Sequence, residues 1–168
     1  MVKKRNKGEP VAAEFDDGWS DVSGLLRDLE FAASSVQDEE VDLTPVLESV
    51  LQARDDVFKK VAADASLVAA AAGDWKNAFA LIDRLSHLEE SPRLKLWKLR
   101  CLIELCKFSE ALTVAQALAW PTELMIHVNY LTALGFEGLG FKDQARMRFE
   151  AVKKRDPRYR DVQEKLSF

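Results

Sequence analysis

Hydrophobic residues recur every three or four positions through most of the chain. Val46, Leu47, Val50, Leu51, Val57, Phe58, Val61, Ala65 and Val68 keep this spacing up to Gly73, the period of a buried helix face. The run predicts one long helix, or two joined end to end. Thr44 is its expected N-cap and Pro45 its first helical residue, where a missing N–H costs nothing. No stretch alternates as a strand would, no hairpin dipeptide occurs, and there are only five prolines. The predicted fold class is all-α. Ahead of this body, "WSDVSGLLRDLEFAASSV" places Trp19, Val22, Leu25, Leu26, Leu29, Ala33 and Val36 at helical spacing behind Ser20 as N-cap. Gly24 weakens that helix by roughly 1 kcal/mol relative to Ala. The pattern predicts a mobile tail over 1–18, a short amphipathic helix with an acidic linker over 19–43, and a helical domain over 44–168.

Within the body a second, longer period appears. "GDWKNAFALIDRL" places Gly73, Trp75, Ala78, Ile82 and Leu85 in order, and "CKFSEALTVAQAL" places Cys106, Phe108, Ala111, Ala115 and Leu118 likewise. "GFKDQARMRFEAV" adds Gly140, Ala145, Phe149 and Val152. The turn residues 73, 106 and 140 and the alanines 78, 111 and 145 are each spaced by 33 and then 34 residues, a mark of stacked helix pairs. A Gly at the end of the first helix permits a sharp turn, a small Ala lets the pair pack closely, and the larger residue four positions on fills the space behind it.

These residues resemble the tetratricopeptide repeat family, with three repeats at about 59–91, 92–125 and 126–157 and a cap over 158–168. The third repeat carries the most signature positions: Ala133, Phe136, Gly140, Ala145, Phe149 and Pro157. The second departs most, with Lys95 and Lys98 where the family prefers Trp and Leu, and Cys106 in place of Gly. The resemblance implies a right-handed superhelix of antiparallel helix pairs, an α-solenoid with an extended first helix. Pro157 is then expected to open a capping helix, which puts Tyr159, Val162 and Leu166 on one face.

Composition changes this picture little. The chain has 168 residues, 48% hydrophobic and 31% charged, with a net charge of −4. That balance fits a soluble cytoplasmic domain and argues against nucleic acid as a partner. No apolar run reaches the roughly 20 residues of a membrane span. The basic start has no apolar stretch after it, unlike a signal peptide. Cys101 and Cys106 are five apart on one expected helix, about 140° from each other around its axis, which disfavours a disulfide. The distribution of charge is more informative. From Glu9 to Asp42 there are eleven acids against one base, Arg27, and from Phe141 to Phe168 nine bases against five acids.

No catalytic constellation is present. His87 and His127 lack metal-ligand spacing, and no phosphate-loop, dinucleotide or nucleophile-elbow motif occurs. Gly135, Gly138 and Gly140 have no strand ahead of them, which points to close helix packing. His87 reads as a surface residue near a helix end. The expectation is a non-enzyme without cofactor or metal.

The resemblance implies that the first helix of each repeat faces a concave groove that holds peptides or partner helices. Carried over by register, the groove residues are Lys60, Ala63, Leu67 and Ala70, then Arg93, Leu96, Trp97, Arg100 and Glu104, then His127, Tyr130, Leu134 and Glu137. Independently, Arg93, Arg100, Glu104 and Lys107 form one polar stripe on an otherwise apolar segment, with Trp97 on it. Trp97 reads equally as an interface anchor and as a core residue. Ala63 and Leu67 stand where carboxylate-clamp relatives carry Lys and Asn, which argues against that mode. The groove suits an acidic, partly apolar peptide or helix, and the expected role is a scaffold or adaptor. The acidic arm could lie against the repeats or hook a second protein, and self-association is a further option. Two rivals stand beside this reading. One is a chaperone of a secreted or membrane-inserting client, similar only in architecture to type III secretion translocator chaperones. The other is a basic end, Lys153, Lys154, Arg155, Arg158 and Arg160, contacting nucleic acid or anionic lipid, for which a solvated charge run is the simpler account.

Overall fold

The computed structural model describes residues 42–117 and 119–167. The amphipathic segment and tail read from the sequence, and Leu118 of the second repeat, lie outside these residues. All regular structure described is helical: α1 (Thr44–Gln52), α2 (Asp55–Ala71), α3 (Trp75–Leu88), α4 (Pro92–Glu104), α5 (Phe108–Gln116), a 3-10 turn (Thr122–Leu124), α6 (Met125–Gly138), α7 (Lys142–Arg155) and α8 (Val162–Lys165). Each helix packs against the next, and α4 also packs against α6. None of these helices is long and apolar enough to cross a membrane.

The recurring turns have one geometry. Gly73, Cys106 and Gly140 all adopt left-handed backbone, with φ of 79°, 57° and 80°. In each, the next residue's N–H reaches back over the turn: Asp74 to Ala69 O at 2.8 Å, Lys107 to Leu102 O at 2.9 Å, Phe141 to Phe136 O at 2.9 Å. This is the bond pattern of a Schellman close. The alanines behind the turns, Ala78, Ala111 and Ala145, are buried, as are Ile82, Ala115 and Phe149 four residues later. The hairpins α2–α3, α4–α5 and α6–α7 are therefore built alike. Glycine serves a second purpose at Gly138, where an added Cβ would lie 2.4 Å from the Phe108 ring. Close packing of α6 on α5 excludes any side chain there.

Of the two arrangements expected for the first run, the structure has two helices in succession, interrupted where Ala53 and Arg54 are extended, with ψ of 152° and 151°; the expected ends at Thr44 and Pro157 are corrected. Arg84 of α3 fixes the break. Its guanidinium donates to Leu51 O and to Ala53 O (2.8 Å), pairs with Asp55 (2.7 Å) and stacks 3.9 Å from the Phe58 ring centroid. The carbonyls orphaned at the end of α1 are thus satisfied from another helix. Leu43, rather than Thr44, occupies the N-cap of α1, and the Asp42 carboxylate accepts the Thr44 N–H at 3.0 Å. At the other end, Pro157 opens no helix. Residues 157–161 form turns, Arg160 is left-handed at φ 48°, and α8 begins only at Val162. Tyr159, Val162 and Leu166 still cover the last apolar face.

The core is in two parts. The first gathers Leu47, Val50, Phe58, Val61, Leu81, Ile82 and Leu85 from α1 to α3 with Cys101. The second gathers Leu99, Leu102, Ile103, Leu131, Phe149, Val152 and Val162 from α4 to α8. α4 contributes to both, so it is the central partition of the molecule.

Candidate functional site: an arginine-rimmed cleft between α4, α6 and the C-terminal turn

On α4, the apolar residues Leu99, Leu102 and Ile103 are buried toward neighbouring helices, while the stripe through Arg93, Leu96, Trp97 and Arg100 is half-buried to exposed, with Leu96 against the edge of the second core and Trp97 against the first. On α6, His127, Tyr130 and Leu131 turn toward that stripe. The turn after α7 then brings in Tyr159 and Arg160. Together with Leu124 these residues line a cleft of about 340 Å³.

Its walls are held by specific bonds. Trp97 is half-buried, and its indole N–H donates to Ser66 Oγ at 2.8 Å, while Ser66 donates onward to Ala78 O at 2.8 Å. One face of Trp97 therefore belongs to the core, where its ring centroid lies 6.2 Å from that of Trp75, and the other to the cleft. Tyr130 donates its hydroxyl to the Asp161 carboxylate, and His127 Nδ1 shares a hydrogen bond with the Tyr159 hydroxyl. Tyr159 meets Tyr130 edge-on, with centroids 5.4 Å apart. The floor is thus an aromatic cluster pinned through two hydroxyls.

The rim is positively charged. Arg160 lies 5.3 Å from the Tyr130 centroid and 5.8 Å from that of Tyr159, within the range of a cation–π contact. Arg100 pairs with Glu104, one turn on. Arg93 is exposed and makes no ion pair among the described residues. No Asp or Glu is among the ten lining residues.

Six residues expected in the groove, Arg93, Leu96, Trp97, Arg100, His127 and Tyr130, come together here. Lys60 and Leu67 are exposed on α2 outside this cleft, and Leu134, one turn beyond Tyr130, packs against the second core. Leu124, Leu131, Tyr159 and Arg160 were not foreseen as lining. For Tyr159 the signal was present in the face that predicted a cap, and for Arg160 in the basic run at that end, but a helix was expected after Pro157 where the chain instead turns over 157–161.

Two groups in or near the cleft have shifted acidities. Burial, and then the hydrogen bond to Asp161, raise the Tyr130 phenol above its ordinary value. Burial pushes the Cys101 thiol up to about 12. Both shifts favour the neutral form, the reverse of what activates a nucleophile. Among the described residues no three His, Cys, Asp or Glu are grouped to hold a metal ion. Both cysteines are free, Cys101 buried and Cys106 exposed. Compared with models of known families, with characterised proteins and with solved structures, the chain finds no match.

Proposed function

We propose that this chain is a three-repeat array of tetratricopeptide type that acts as a non-catalytic adaptor, holding an acidic, partly apolar segment of a protein partner in the α4–α6 cleft. The repeat assignment is supported by the identical turns at Gly73, Cys106 and Gly140. The functional reading is carried by one observation: Arg93, Arg100 and Arg160 rim a floor of Trp97, Tyr130 and Tyr159 with no carboxylate among the lining residues. Apolar side chains of a partner would fill the floor, and carboxylates would meet the rim, speeding encounter and fixing register. Arginine suits this role because its planar donors match carboxylates and stack on aromatic rings.

A pull-down from the native cell tests this, using wild-type chain, an Arg93→Glu/Arg160→Glu variant, and Lys154→Glu on α7 as control. Circular dichroism checks that each is folded. The reading requires a partner that is lost with the double variant and retained with Lys154→Glu. Loss with Lys154→Glu alone would move the interface to the basic end. A partner that is soluble when made alone supports an adaptor; one that aggregates without this chain supports the chaperone rival.

A further inference from the structure

The net charge of −4 hides a division. The first 42 residues hold eleven acids and five bases, while residues 43–168 hold seventeen acids and nineteen bases. The helical body is therefore slightly basic, and its cleft has three arginines and no Asp or Glu among its lining residues, Arg100 being paired with Glu104 and Arg93 and Arg160 exposed. Directly ahead of the body, residues 14–36 carry six acids against Arg27 alone, interspersed with Phe15, Trp19, Leu25, Leu26 and Leu29. This is the composition the cleft selects for.

We propose that the cleft's resident ligand is the chain's own acidic segment, residues 14–36, which must be displaced before an outside partner binds. The inference rests on the cleft reading above and names its first occupant. Two independent facts favour this occupant over an unrelated one. The first is complementarity in both components, acids for the arginine rim and large apolar groups for the aromatic floor. The second is tethering: residues 37–43 connect the segment to α1 and span about 24 Å when extended. A linked ligand whose tether reaches its site acts at an effective concentration on the order of millimolar, at which even weak intrinsic affinity suffices for occupancy. Docking also gives the apolar face of "WSDVSGLLRDLEF" a surface to cover it, which a lone amphipathic helix lacks.

The sequence supplies its own reporter. Between Lys7 and Arg54 the only trypsin site is Arg27, inside the proposed docked segment, while Lys3, Lys4, Arg5 and Lys7 lie ahead of it as internal references. Limited trypsin digestion of the full chain, followed by mass spectrometry, measures cleavage after Arg27 against cleavage at the references. The expected result is slow cutting at Arg27 in wild type, and at least about tenfold faster cutting in Arg93→Glu/Arg160→Glu, in Leu25→Ser/Leu29→Ser, and in wild type at high salt. Protection that is independent of protein concentration places the segment in its own cleft. Protection that grows with concentration, together with a doubled sedimenting mass, places it in the cleft of a second copy; either supports the proposal. Equal cutting of wild type and both variants overturns it. If Arg27 is unprotected yet an outside partner is still lost with Arg93→Glu/Arg160→Glu, only this inference falls. If neither the partner nor Arg27 responds to the double variant, the cleft reading falls with it.

Discussion

Cys106 occupies a backbone position that the other two hairpins give to glycine, and this makes an unusual prediction: deleting its side chain should stabilise the protein. At φ 57° an L-residue brings Cβ against the following carbonyl, at a cost of about 1–2 kcal/mol. Glycine has no such penalty but gains freedom in the unfolded chain, which offsets roughly 0.5–1 kcal/mol. Cys106 is exposed, so little burial is lost with its side chain. The net expectation for Cys106→Gly is a stabilisation of about 0.5–1 kcal/mol. The reciprocal change isolates the same term. Gly140 has φ 80° and no atom within 4 Å of an added Cβ, so Gly140→Ala should destabilise by about 1 kcal/mol through backbone strain alone. Urea unfolding under reducing conditions, followed by circular dichroism, measures both as shifts in midpoint at constant m. In heating experiments the shifts would be roughly 2–4 °C in opposite directions. A Cys106→Gly variant less stable than wild type, or a neutral Gly140→Ala, would refute the claim that the three turns share one strained geometry.

Other variants probe contacts seen only in three dimensions. Arg84→Met removes the donors that hold the carbonyls of Leu51 and Ala53 and should cost about 2–3 kcal/mol in urea unfolding, whereas Asp55→Asn, on an exposed partner, should cost under about 0.5 kcal/mol. Gly138→Val drives a side chain into Phe108 and should destabilise by about 1–3 kcal/mol, with Phe108→Ala in the same chain recovering part of the loss. Ser66→Ala leaves the Trp97 N–H without its acceptor, at about 1–3 kcal/mol, read by the same unfolding assay. The raised Cys101 pKa means the folded state keeps this proton longer than the unfolded one. Its contribution to stability is complete below the ordinary value near 9 and is lost as pH rises toward about 12, so the alkaline fall in melting temperature should be shallower in Cys101→Ala. A thiol reagent at neutral pH should correspondingly label Cys106 in the native protein and Cys101 only after unfolding.

How much of this was legible in the sequence follows from where each feature is encoded. The hairpin turns are written locally, as Gly73 and Gly140 with an alanine five residues on, and the 33- and 34-residue spacing identified Cys106 as their counterpart. The break between α1 and α2 is not written locally. Val50, Leu51, Val57 and Phe58 carry the hydrophobic period across it without a Gly or Pro, and the residue that stabilises it, Arg84, lies 31 positions beyond Ala53. The polar stripe on α4 was visible because Arg93, Arg100 and Glu104 interrupt an apolar segment at helical spacing. The far wall of the cleft was not, since it depends on the chain turning at 157–161 and folding Tyr159 back onto His127 and Tyr130. Trp97 could not be assigned to core or groove from spacing, because Ser66 holds it in both.

The claim that the α4–α6 cleft is the partner site is tested most directly by site-specific photo-crosslinking in the native cell. A photoreactive phenylalanine analogue would replace Arg93 at the rim or, as controls, the exposed Lys60 on α2 and Lys154 on α7, with the attached peptides sequenced by mass spectrometry. The account predicts cross-links at position 93 to segments rich in acids and large apolar residues, with residues 14–36 of this chain among them, and few at 60 or 154. Cross-links concentrated at the control positions, or peptides at position 93 without acidic and apolar character, would contradict it.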